Sequence, residues 1–181
     1  MATTRDRILD AFESMLVGQG SRSATLDAVA EEAGVSKGGL LYHFPSRDDL
    51  VVGMLDRLRA MGTADAEAMR SAPQGPVAYY LHTSQHTGSA FDRAMIAAAR
   101  IAQESDTRAS TALDDLREAW FEVLDEQLDD EALARTVQLL CDAIYFNEIM
   151  GLAEEASMPA VRAILSRLGA LDPASTDAGI A

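Results

Sequence analysis

From Arg5 to Leu168 the apolar residues of this chain recur at helical spacing between short breaks, and nowhere do they alternate as a half-buried strand would. That pattern restricts the fold to helices packed on helices. Ile8, Leu9, Phe12, Met15 and Leu16 form a first amphipathic stripe, which Gly18 and Gly20 end. Thr25 stands where an N-cap belongs, ahead of Leu26, Val29, Ala30 and Ala33, and Gly34 suits the left-handed turn that would close a second helix of about two turns. Ser36 can cap a third short helix running to His43, and Pro45, which has no N–H to donate, forbids its continuation. A fourth helix starts near Ser46. It carries Asp48 and Asp49 in its first turn, where the dipole favours anions, and Leu50, Val51, Met54, Leu55 and Leu58 on one face.

The stretch Ser71-Ala72-Pro73-Gln74-Gly75-Pro76 is the clearest break, because two prolines and a glycine cannot lie in a helix interior. Beyond it, residues 77–86, 91–104, 107–128, 131–154 and 159–168 read as helices. Leu113, Leu116, Trp120, Leu124 and Leu128 make one stripe, and Leu133, Val137, Leu140 and Ile144 another. The expected fold is all-α with about nine helices. A functional boundary is expected near Ala60, inside the long fourth helix, and residues 172–181 are expected to form a disordered tail.

Charge bears on which partners are possible. The 181 residues carry 15 Lys plus Arg against 29 Asp plus Glu, a net charge of −14, which repels polyanions unless the basic groups are concentrated. They are unevenly placed. Residues 1–60 hold seven basic groups (Arg5, Arg7, Arg22, Lys37, Arg47, Arg57, Arg59) and nine acidic ones, so most of the acidity lies in residues 61–181. Lys37 is the only lysine. The one cysteine, Cys141, permits no intramolecular disulfide and lies in an apolar segment without basic neighbours, as a buried inert thiol does. No export leader or membrane span is legible, and the expected location is the cytoplasm.

Two short helices joined by Ala33-Gly34-Val35, with Ala30 four residues before the glycine and Leu40 six after it, match a helix-turn-helix. The small Ala30 lets the helices approach, while Val29, Val35 and Leu40 fill the angle between them. An ordinary helical corner could share that spacing, but the residues after the turn are less ordinary. Lys37, Gly38, Gly39, Tyr42, His43 and Arg47 fall within a dozen residues. Two glycines let backbone approach a groove closely and are poor helix formers, Lys37 adds a positive charge, Tyr42 and His43 can donate to phosphate oxygens, and Arg47 can pair with phosphate.

With these residues the chain resembles the TetR (tetracycline repressor-like) family of bacterial transcriptional regulators. The resemblance is carried by Thr25-Leu26-Asp27-Ala28-Val29-Ala30, by Ala33 through Gly38, and by Leu40 through Phe44-Pro45-Ser46-Arg47-Asp48-Asp49-Leu50. It covers residues 5–58 and implies a DNA-binding domain over residues 1–60, with Thr25, Ser36 and Leu41 added to the six residues above. Leu41 stands where the family commonly has a phosphate-touching tyrosine, a role that Tyr42 is expected to take over. The resemblance also implies an effector-binding and dimerisation domain over residues 61–171, with the last two helices pairing with their symmetry mates, so that a homodimer reads a palindromic operator.

Signals in the second domain are weaker. Tyr79, Tyr80, Met95, Trp120, Phe121, Tyr145, Phe146 and Met150 read equally as plain core and as the lining of an apolar cavity. The resemblance makes Tyr79, His82, Met95, Trp120, Phe121, Phe146 and Met150 the expected effector-binding residues. His82 and His86 are spaced like metal ligands, but no third ligand can be named, so neither a metal nor another cofactor is expected. The acidic run from Asp114 to Glu131 reads as a solvated helix face. No activated nucleophile or carboxylate pair suggests an enzyme. The expected function is a dimeric repressor released from operator DNA by a small, mostly apolar molecule. The alternative is a helix-turn-helix protein that binds small molecules or proteins without DNA.

Overall fold

Side-chain caps set most of the helix boundaries. The computed structural model describes residues 3–152 and 155–172, and the expected tail lies outside the described residues apart from Asp172. Thr3 and Asp6 close a reciprocal capping box at the start of α1 (Thr4–Gln19). Thr25 caps α2 (Leu26–Glu32) by accepting from the Ala28 N–H at 3.3 Å, and Ser36 caps α3 (Lys37–His43) by accepting from Gly39 at 3.1 Å. Ser46 and Asp49 bond each other at the entrance to α4 (Arg47–Arg70). Next come α5 (Pro76–Thr83), α6 (Ala90–Ala102), α7 (Thr107–Leu128), α8 (Glu131–Ile149), a short 3-10 turn (Glu155–Ser157) and α9 (Met158–Arg167). Among the described residues the protein is all-α, with nine α-helices and no strand.

Helices α5 and α8 differ most from the sequence reading. Pro76 belongs to α5 as its first residue, where its missing N–H costs nothing, and the helix ends three residues early, at Thr83. There Thr83, Ser84 and Gln85 turn their side chains back onto carbonyls of the last turn. Helix α8 stops at Ile149 instead of reaching residue 154. Gly151 takes φ 67°, and the N–H groups of Gly151 and Leu152 bond back to Glu148 and Asn147.

The chain packs as two units, Met1–Gly62 with Gly88–Leu116, and Thr63–Thr87 with Arg117–Ala181. These cut the chain differently from a single division at residue 60, because α6 and the first half of α7 pack with the N-terminal helices. In the first unit Ile8, Leu9, Phe12, Leu40, Leu50 and Met54 are fully buried, each worth about 1.5–3 kcal/mol of transfer free energy. Polar clamps complete it. Arg108 holds Asp48 bidentately at 2.7 and 3.1 Å and Asp106 at 2.6 Å, keeping both carboxyls below the usual carboxylate range, largely through those hydrogen bonds.

Deeper in the same unit, Glu13 has no solvent exposure. Its Oε1 accepts from Arg57 Nη2 at 2.6 Å, and Arg93 Nε lies 3.6 Å from its Oε2. Asp10 receives Arg57 at 3.0 Å and Arg93 at 3.2 Å. Burial pushes the Glu13 carboxyl upward, against the pull of Arg57.

In the second unit the inward stripe of α8 is Ala134, Val137, Gln138 and Cys141. Burial raises the Cys141 thiol to about 12, leaving it without thiolate character near neutral pH. Among the described residues no helix is long and apolar enough to cross a membrane, and no three His, Cys, Asp or Glu side chains are grouped to hold a metal ion.

Candidate nucleic-acid interface

The turn between α2 and α3 is built from backbone bonds. Val35 N–H reaches Ala30 C=O at 2.9 Å and Gly34 N–H reaches Glu31 C=O at 3.0 Å, with Gly34 at φ 64°, a Schellman termination that only a residue without Cβ adopts freely. Val29, Ala30 and Leu40 bury themselves in the angle, as their spacing requires. Phe44 then locks α3 to α4. Its ring lies so close to Gly53 that an added Cβ would sit 2.6 Å from Cε1, and Arg5 covers the ring with its guanidinium carbon 5.1 Å from the centroid.

With Leu40 and Phe44 turned inward, the opposite face of α3 is set. Lys37 and Gly38 are exposed, Gly39, Leu41 and His43 are half-buried, and Tyr42 is 85% exposed, touching the His43 ring edge-on at 5.2 Å. A Cβ on Gly38 would meet nothing within 4 Å, so packing inside the chain does not ask for glycine there. Gly39 is different, since its Cβ would come 3.2 Å from the Ser36 cap oxygen. The hydroxyls of Thr25 and Ser36 are exposed but already spent as caps. The Lys37 ammonium lies against Asp27 in the first turn of α2, 2.9 Å from Oδ1 and 3.0 Å from Oδ2, a partner that sequence reasoning missed because the two are ten residues apart.

Arg47 departs most from expectation. Its guanidinium donates to Ser21 Oγ, lies 3.7 Å from Glu104 Oε2 and sits over the Phe12 ring at 5.9 Å. It ties the start of α4 to the loop after α1 and to the turn after α6, instead of standing free on the face of Lys37 and Tyr42.

The expected effector residues are only partly brought together. Asp65 gathers two of them, accepting from Tyr79 Oη and from Trp120 Nε1, both at 2.8 Å, and the Tyr80 ring lies 5.2 Å from Trp120. Burial, with Asp65 alongside, holds the Tyr79 hydroxyl protonated far above neutral pH. Phe121 is buried beneath the Arg135 guanidinium at 3.3 Å. His82 is half-buried and stacked on His86 at 4.0 Å, and its pKa is lowered first by burial and then by that neighbour. Met95 belongs to the other unit, on α6. Phe146 and Met150 are 55% and 57% exposed, so in the single chain they do not line an interior. They fall on the outer stripe of α8, away from Val137 and Cys141.

Comparisons with known proteins agree with this geometry. Residues 8–54, from α1 into α4, match the family model described as bacterial regulatory proteins, tetR family. The HTH-type transcriptional regulator SrpR of Pseudomonas putida is 40% identical over 52 residues, or 29% of this chain and 24% of that protein. The chain thus matches only about a quarter of that relative's length. Among solved structures, a TetR-family transcriptional regulator from Rhodococcus sp. superposes with TM-score 0.65 at 22% identity, covering 97% of this chain and 100% of the other. The multidrug binding protein EbrR, solved with imidazole, superposes with TM-score 0.63 at 20% identity over 93% and 96% of the two chains. The full-length likenesses carry the fold, and the 40% identity extends over 52 residues only. Residues 8–54 thus carry a helix-turn-helix of the tetR-family type, and the chain around it shares the fold of solved TetR-family regulators.

Proposed function

We propose that the chain is a homodimeric repressor whose α3 enters the major groove of an inverted-repeat operator. One observation carries the reading: α3 presents Gly38, for which intramolecular packing offers no reason, one turn from Tyr42, an aromatic left 85% exposed. A bare backbone beside an exposed hydrogen-bonding ring suits the close approach of a duplex. Lys37 adds a phosphate contact, and His43 and the first turn of α3 complete the footprint. Arg47 acts from behind, fixing α4 under the reading helix.

Dimerisation is supported by two stripes that the single chain leaves uncovered. Along α8 and into its C-cap, Leu139, Ala143, Phe146 and Met150 follow one another by four, three and four residues, all exposed, and Ile164 on α9 and Leu168 at its C-cap are exposed at 37% and 50%. A second copy of the same pair of helices would cover them symmetrically.

Effector response is proposed on the TetR-like fold and on EbrR, which its name describes as a multidrug binding protein. The proposed effector is a mostly apolar molecule bound in the second unit near Tyr79, Tyr80 and Trp120. Helices α4 and α7 each contribute to both units. A ligand acts through them only if it binds the DNA-competent and released states unequally.

The test is a fluorescence-anisotropy titration on duplex from the region upstream of the protein's own gene, repeated over a series of salt concentrations. Tyr42→Ala should weaken binding about tenfold or more, as the loss of a hydrogen bond to a charged group does. Lys37→Ala should weaken binding to all duplexes alike and reduce the salt slope by about one. Both variants should keep wild-type helicity, since neither side chain is part of the core. Wild-type binding by both variants would show that α3 is not the reading helix. Absence of any salt-dependent DNA binding would favour the module that works without DNA, which the −14 net charge otherwise suits.

A further inference from the structure

We infer that Asp27 is an intramolecular competitor for DNA phosphate, occupying the chain's only lysine until a duplex displaces it. The inference rests on the reading of α3 given above. Lys37 Nζ lies between both carboxylate oxygens of Asp27, at 2.9 and 3.0 Å, in the geometry it would otherwise offer a phosphodiester. Both side chains are well exposed, Lys37 at 58% and Asp27 at 70%, so the pair contributes little to holding α2 against α3. Those helices are already joined by the Gly34 turn and by buried Val29, Ala30 and Leu40. The ion pair therefore bears more on Lys37 than on the fold.

The placement of the charges supports the same conclusion. Asp27 stands in the first turn of α2, where the helix dipole favours an anion, whereas Lys37 opens α3, where the dipole disfavours a cation. Asp27 is thus at ease without its partner, while Lys37 gains from any anion it can reach. A phosphate that takes Lys37 must come within a few ångströms of a carboxylate of the same sign. Residues 1–60 hold more acidic than basic groups, so no general positive field offsets that repulsion. The carboxylate should weaken non-specific binding, which is almost wholly electrostatic, more than it weakens any contact that reads base edges.

The experiment is a double-mutant cycle on the full chain with a random-sequence duplex, comparing wild type, Asp27→Asn, Lys37→Ala and the double variant at low and moderate salt. Asp27→Asn should bind about three- to tenfold more tightly than wild type at low salt, with the gain shrinking as salt rises. In the Lys37→Ala background that gain should shrink to the small part that like-charge repulsion alone supplies, because the competed cation is gone. A gain undiminished without Lys37 would mean that Asp27 merely repels DNA, and it overturns the inference. So does an Asp27→Asn variant that binds no better or worse than wild type, since Asp27 would then be orienting Lys37 for its contact. Failure of wild type to bind either this duplex or the upstream DNA rejects the DNA-binding reading itself, an outcome distinct from wild-type binding that Asp27→Asn leaves unchanged.

Discussion

Arg57→Ala is expected to lower the unfolding free energy by about 3–5 kcal/mol, a large share of the roughly 5–15 kcal/mol that holds a domain together. Arg57 is the close partner of Glu13, whose carboxylate has no solvent exposure, and its other donors reach Asp10 and the Asp6 carbonyl. Without it Glu13 retains only Arg93 at 3.6 Å, beyond hydrogen-bond distance. The cost comes mainly from the buried charge left behind, not from the lost attraction.

The pH dependence of the loss derives from Glu13's upward shift. A carboxyl raised in the folded state binds more protons there than in the unfolded chain, so it contributes less stability as pH rises from the ordinary carboxylate range through the raised value. Removing Arg57 extends that window upward, and the variant's deficit should be smaller near pH 5 than near pH 7.5. Urea unfolding followed by far-ultraviolet circular dichroism at both values checks it. A deficit below about 1 kcal/mol, of the size an exposed pair gives, would show that Glu13 is solvated in solution.

The second large effect concerns assembly. Leu139→Asp combined with Phe146→Asp should convert the proposed dimer into a folded monomer and weaken operator binding by about 10²–10⁴-fold, the factor lost when two linked contacts become one. Both side chains are more than half exposed in the single chain, so the charges disturb no core there. In a paired interface they would be buried without partners. Sedimentation velocity gives the mass and the titration on upstream DNA gives the affinity. A dimeric double variant would place the interface elsewhere, and a monomer with full affinity would remove the need for two reading heads.

Features set by neighbours in sequence were the ones that could be read in advance. Helix α7 runs over residues 107–128 as its stripe required, and the caps at Thr25 and Ser36 together with the Gly34 turn fix the helix-turn-helix from within residues 25–39. Contacts between distant residues could not be read in this way. The Asp27–Lys37 pair, the Arg57 cluster with Glu13 and Asp10, and the Asp65 carboxylate shared by Tyr79 and Trp120 join different helices, which periodicity does not pair. The partners of Arg47, Ser21 and Glu104, were illegible for the same reason, being 26 and 57 positions away. Phe146 and Met150 show a different limit. Helix α8 carries two apolar stripes, and composition alone does not tell the one facing the unit's interior from the one a second copy would cover.

The central claim is that two copies of α3, held by a dimer, read DNA together, and selection of duplexes from a random pool tests it most directly. The wild-type chain should enrich an inverted repeat whose half-sites are centred about 10–10.5 base pairs apart, or a multiple of a helical turn, and hydroxyl-radical footprints should show two symmetric protected patches. The same selection with Tyr42→Ala should enrich that repeat less strongly, in line with an affinity about tenfold lower. Enrichment of a single unrepeated site, or equally strong enrichment by wild type and Tyr42→Ala, would contradict it.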